Sequence, residues 1–106
     1  MDKLQFFIDW LGLTKPVNLT YTTRNPKKWD AFYLPQYKGE KLTRHNVTIS
    51  VHSHRNHETL LMHELIHAWQ EENKKTEIHG KHFRKLAKRA EKTFSLTGVY
   101  LKGTDK

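Results

Sequence analysis

The sequence predicts an α+β domain: an N-terminal helix, a small three-stranded sheet and two C-terminal helices. Three observations predict it. Apolar residues at the N-terminus fall three and four apart, as a helix face requires. Between residues 17 and 52 the period changes to two, with β-branched and aromatic residues, as in half-buried strands. After Asn56 the spacing of three and four returns twice. Helices that follow the strands in a block, without alternating with them, suit a sheet segregated from its helices.

The first helix covers residues 3–12, with Leu4, Phe7, Ile8 and Leu11 on one face and Gly12 as its stop. Residues 17–23 alternate, placing Val17, Leu19 and Tyr21 together. Residues 29–34 read as a second strand ended by Pro35, and 38–40 as a loop tip. Residues 46–52 form a third strand with Val47, Ile49 and Val51 facing one way. Asn56 is suited to cap a helix from His57 to Asn73 whose buried stripe is Leu61, Leu65, Ala68 and Trp69. A polar loop, 72–77, leads to a last helix over 80–94, with Phe83, Leu86, Ala87, Ala90 and Phe94 inward. Gly98 ends that stretch, 99–101 pack back as a short extended segment, and the tail frays.

Composition narrows the function. The chain has 106 residues and 36% hydrophobic content, which fits one small domain with a modest core. It has no cysteine. That excludes disulfides and thiolate metal sites, leaves histidine and carboxylate as metal donors, and suits a reducing cytoplasm. The N-terminus lacks a signal-peptide pattern, and no apolar run reaches the roughly 18 residues a membrane span needs. The expectation is a monomeric cytoplasmic protein away from membranes. The net charge of +8 favours polyanions, DNA included, although lysines that merely confer solubility would give the same figure.

His63-Glu64-Leu65-Ile66-His67 carries the chemistry. Residues four apart lie on one helix face, so both imidazoles can reach one ion. Glu64 is offset around the helix. It cannot easily bind that ion but can take the proton of a water the ion acidifies. A catalytic zinc needs a third protein ligand. One known extension of the motif demands a glycine at 70 and a histidine at 73, where this chain has Gln70 and Asn73. Another uses a glutamate on a following helix; Glu91 lies at a suitable distance but beside Lys88 and Lys92, off the apolar stripe. His79 is favoured, because positions 79, 83, 86 and 90 share the inward face, whereas His82 lies nearer the polar side.

His63-Glu64-x-x-His67, followed after a polar loop by His79-Gly80-x-x-Phe83, resembles the SprT-like metallopeptidase pattern. That resemblance implies a zincin-like minimal domain. It makes His63, His67 and His79 the zinc ligands and Glu64 the catalytic base, and its substrate class is a polypeptide, including protein held on DNA. Members often carry a C-terminal zinc ribbon with four cysteines; this chain has none.

Further features admit two readings each. Lys81, Arg84, Lys85, Lys88, Arg89 and Lys92 form a basic face that can neutralise phosphates or simply be solvated. Trp29, Tyr33 and Tyr37 offer stacking surface or core. His52, His54 and His57 flank the metal helix as a second site or as surface and capping residues. Tyr100, Arg84 and Lys81 are candidate oxyanion donors. Two competing functions remain: a basic nucleic-acid-binding module with a structural or vestigial zinc, and a protein-interaction factor without metal.

Overall fold

The computed structural model describes residues 3–100. The element order is α1 (Lys3–Leu11), β1 (Val17–Thr22), β2 (Ala31–Lys38), β3 (Lys41–Ser50), α2 (His57–Glu72) and α3 (Lys81–Phe94). The three helices and three strands match the expected α+β architecture. Residue 101 and the tail fall outside the described residues, so the extended segment expected over 99–101 is described only at Val99 and Tyr100.

The sheet is mixed, with order β1-β3-β2. β1 runs parallel to β3 and β2 antiparallel to it, so β1 and β2 are both edges. β2 is longer than expected at its far end, because it continues through Pro35 to Lys38. An edge strand tolerates a residue without an N–H, which a central strand does not. Trp29 precedes the strand. It is 9% exposed and packs edge-to-face on Phe32 at 4.8 Å. β3 begins five residues earlier than expected and ends at Ser50. Val47 and Ile49 are fully buried, whereas Val51 has turned outward and is exposed. Tyr21 is also exposed, lying 5.9 Å from the His57 ring.

α2 is the centre of the domain. It packs against α1, α3, β2 and β3, and Thr59 through Ile66 are all buried. Of the expected stripe, Leu61, Leu65 and Ala68 are buried and Trp69 partly so, and Leu60, Met62 and Ile66 join them. Asn56 caps the helix as expected, its side chain accepting from the Thr59 N–H at 3.1 Å. α1 closes one side: Phe7 is fully buried, and both Phe7 and Trp10 meet Phe94 edge-to-face, at 4.8 and 5.5 Å. Burying these side chains stabilises the fold by about 1.5–3 kcal/mol apiece. Gly12, at φ +69°, lets the chain leave α1. Among the described residues, no helix is long and apolar enough to cross a membrane.

Candidate metal centre

α2 places His63 and His67 one turn apart, with ring centroids 5.1 Å from each other. His79 comes from the α2–α3 connection and closes a triangle, its ring 5.1 Å from each of the other two. One ligand atom from each residue lies within 4.8 Å of the others. The helix α3 begins only at Lys81, so His79 is not on its inward face as expected. It sits in the preceding turn and is held there by its backbone carbonyl, which accepts from Arg84 Nε at 3.0 Å. Gly80 follows because the space is taken: a Cβ at that position would lie 2.6 Å from the Glu77 Cβ. Phe83 forms the floor, 4.8–4.9 Å from all three imidazoles.

The hydrogen bonds fix which nitrogens face the centre. His63 is fully buried and donates Nδ1–H to the Val99 carbonyl at 2.6 Å. Its Nε2 therefore presents a lone pair. Gln70 Nε2 donates to the Glu77 carbonyl at 2.6 Å, which turns Gln70 Oε1 toward His67 Nδ1 at 2.9 Å. His67 thus donates from Nδ1, which makes Nε2 its ligand nitrogen. Such partners orient metal-binding imidazoles and set their tautomers.

The donor set fits a zinc ion. His63 Nε2 and His79 Nε2 are 3.2 Å apart. Two nitrogens at about 2.0–2.1 Å from a tetrahedral ion would be separated by about 3.3 Å. The same two atoms can share the His79 proton or, with His79 in its other tautomer, a cation. Glu64 lies on the same helix, its side chain fully buried. Among the described residues this is the one group of His, Cys, Asp or Glu close enough to hold a metal.

The competing candidates lie elsewhere. His82 is partly exposed and faces Glu77, with Nδ1 3.8 Å from Oε1. Glu91 is not a ligand; its carboxylate accepts the Val99 N–H at 2.9 Å. His52 donates from Nε2 to the Thr23 carbonyl at 2.8 Å, and His54 is exposed. The six basic residues from Lys81 to Lys92 are exposed along α3. Gly80, Lys81, Arg84, Lys85 and Lys88 line an open groove of about 580 Å³ there. Two of the six also have partners within the fold. Arg84 sits over the Tyr100 ring at 5.1 Å and Arg89 over Trp10 at 5.9 Å.

One polar chain beside the centre was not anticipated. Tyr33 stacks on His67, with centroids 6.5 Å apart, and donates its hydroxyl to His45 Nδ1 at 2.7 Å. His45, fully buried, donates from Nε2 to Glu72 at 2.6 Å. Glu72 also accepts from the Thr14 and Lys15 N–H groups and the Thr14 hydroxyl at 2.9–3.1 Å. Burial alone would raise the Glu72 pKa, but these hydrogen bonds outweigh it and hold the carboxyl below its usual range. Burial, reinforced by Glu71, Tyr37 and Glu72, pushes the Tyr33 phenol far up, so it stays protonated. The Tyr37 hydroxyl donates to Glu71, which raises its pKa as well. Lone residues such as His45 and Glu72 carry no local sequence signal for such a chain.

The SprT-like family model matches residues 19–103, covering the sheet from the third residue of β1 onward, both C-terminal helices and all three imidazoles. The chain belongs to the SprT-like family. That membership agrees with the resemblance carried by the two histidine motifs and supports a metallopeptidase-like domain with a zinc-type site. No curated protein and no solved structure matches the chain significantly.

Proposed function

We propose that this SprT-like domain is a zinc-dependent metallopeptidase, with His63, His67 and His79 as ligands and Glu64 as general base. The observation that carries the reading is the convergence of three imidazoles beside a buried carboxylate on one helix. Zinc held there would supply Lewis acidity, polarising the scissile carbonyl and acidifying water near neutral pH. Glu64 takes the proton of the attacking water on a carboxylate oxygen and delivers it to the departing amide nitrogen. Phe83 and the neighbouring apolar residues keep bulk water from the inner side of the imidazoles.

A polypeptide is the substrate that the surroundings favour. β2 is an open sheet edge, and a groove of about 570 Å³ runs between it and the end of α2. His67, Tyr33, Leu34, Tyr37 and Ile78 are among its lining residues. An extended peptide can add to such an edge by main-chain hydrogen bonds, with the scissile bond near His67. The basic α3 face supports a substrate held on DNA, because exposed lysines and arginines bind phosphate without reading sequence. The lack of cysteine suits cytoplasmic action, by a monomer.

The same basic face favours a second reading, a nucleic-acid-binding module whose zinc is structural. Glu64→Gln separates the two. A peptidase variant keeps zinc and loses turnover of a basic test protein by about 10²–10⁴-fold, the usual contribution of a general base. A binding module keeps its DNA affinity and shows no zinc-dependent cleavage even as the wild type. Equal cleavage by wild type and variant, with or without single-stranded DNA, rules out Glu64 as the base.

A further inference from the structure

His63 is the most deeply buried of the three imidazoles, and its Nδ1–H is held by a carbonyl that lies 36 residues away. That carbonyl belongs to Val99, in the segment where the chain has left α3 and doubled back. Ser95 adopts the left-handed conformation at φ 56°, and Gly98 follows at φ 69°. A segment built from such turns has little regular hydrogen bonding of its own. Glu91 supplies it. The Glu91 backbone carbonyl accepts from the Leu96 N–H at 3.0 Å, and its carboxylate accepts from the Val99 N–H at 2.9 Å. Both polar groups of Val99 are therefore committed, one to Glu91 and the other to His63. Val99 itself is fully buried, and Tyr100 beyond it lies against His79 and Phe83 at 5.3 and 6.0 Å.

The local reason for a carboxylate at Glu91 is weak: Lys88, one turn back, is exposed, and an exposed ion pair contributes little. Glu91 stands near the C-terminus of α3, where the helix dipole favours cations. The contact that rationalises it is the one to Val99. We propose that Glu91 is a positioning residue of the metal centre: it anchors the Val99 peptide, whose carbonyl holds the His63 ring with Nε2 toward the ion. The chain of contacts is carboxylate, amide N–H, carbonyl, imidazole N–H, ligand nitrogen. It rests on the metal centre proposed above. It differs from direct ligation by Glu91, because here the carboxylate never touches the ion.

Three variants test it: Glu91→Ala, Glu91→Asp and Glu91→Gln. Zinc affinity is measured by chelator competition, the visible spectrum is recorded with cobalt(II) as the probe ion, and the melting temperature is taken without metal. Alanine removes the acceptor, and aspartate withdraws it by one methylene while keeping its charge. Both should weaken zinc binding by about 10–100-fold, as losses around metal ligands usually do, and shift the cobalt spectrum. Glutamine retains an oxygen at the same reach and should stay within a few-fold of wild type. Wild-type affinity and spectrum in both the alanine and aspartate variants would overturn the proposal, even if the melting temperature fell. So would a glutamine variant as weak as alanine, since that is the behaviour of a direct ligand. If alanine does not fold, aspartate against glutamine carries the same decision. A wild type that takes up no zinc sinks the metal centre and this role together, whereas strong wild-type binding with indifferent variants sinks only the role of Glu91.

Discussion

Glu72→Ala should destabilise the domain far more than its place at the end of α2 suggests. The side chain is 9% exposed and accepts from four donors: the Thr14 and Lys15 amides, the Thr14 hydroxyl and the His45 imidazole. Water can replace it at Thr14, which is exposed, so little is lost there. His45 is different, because it is fully buried between Glu72 and Tyr33. Alanine strands its Nε2–H, at about 1–3 kcal/mol for a buried donor, and also removes a charged acceptor from the Lys15 amide. A total of about 3 kcal/mol follows, against a domain stability of about 5–15 kcal/mol. At about 4–8 °C per kcal/mol, the melting temperature should fall by about 12–24 °C. Urea unfolding of the metal-free protein reads the loss as a lower midpoint at constant slope.

The pH dependence gives a second reading of the same contact. The folded carboxyl is held below its ordinary value of 4.5. A depressed carboxyl contributes stability that is complete above the unfolded value and is lost as pH falls through the folded one. The gap between wild type and Glu72→Ala should thus be level near neutrality and narrow as pH falls below 4.5. A loss under about 0.5 kcal/mol, typical of a surface substitution, would refute the reasoning. A gap that stays level deep into acid would refute the assignment of the charge.

Three further outcomes are expected. His79→Ala should cost more zinc affinity than the roughly 10–100-fold typical of residues around ligands, while His82→Ala leaves it unchanged; chelator competition compares them directly. Removing zinc with a chelator should lower the melting temperature, since an ion at about 100 times its dissociation constant adds about 2.7 kcal/mol. Reversing the charge of Lys85 and Lys88 should weaken single-stranded DNA binding and flatten its salt dependence by about one unit per lost phosphate contact, with cleavage of a free polypeptide unaffected.

How far the sequence disclosed the fold depends on where local pattern and tertiary setting agree. Val47 and Ile49 alternate because α2 covers one face of β3, and that part of the strand was legible. The stretch from Lys41 to His45 is polar apart from Leu42 and is drawn into the strand by backbone pairing with β2, which period-two reading does not detect. Pro35 looked like a strand end because its missing N–H argues against a central position. The sheet order makes β2 an edge, and order is set by contacts between distant segments. α2 shows the same limit. Its surroundings bury Met62 and Ile66 as well as Leu61, Leu65 and Ala68 of the predicted stripe, and no helical periodicity announces a helix enclosed by two helices and a sheet.

The site was legible to the extent that it is local. His63 and His67 follow from helix geometry alone. His79 was reached by extending the α3 face two residues too far back; a turn pinned by Arg84 and a crowded Gly80 brings it beside the other two imidazoles. Nothing local marks the groups that orient the rings, because Val99 acts through its carbonyl, Gln70 through its amide and Tyr33 through its stacked face. Glu91 illustrates the difference most sharply. Its distance along the chain suggested a ligand and its basic neighbours argued against one; the fold turns its carboxylate to the Val99 N–H. A carboxylate does serve the imidazoles from that position, but through a peptide that the chain brings back only after two left-handed turns. The imidazoles of such a cluster can therefore be read from spacing, while the geometry that gathers and orients them is held by residues whose relevance appears only once the chain has closed on itself.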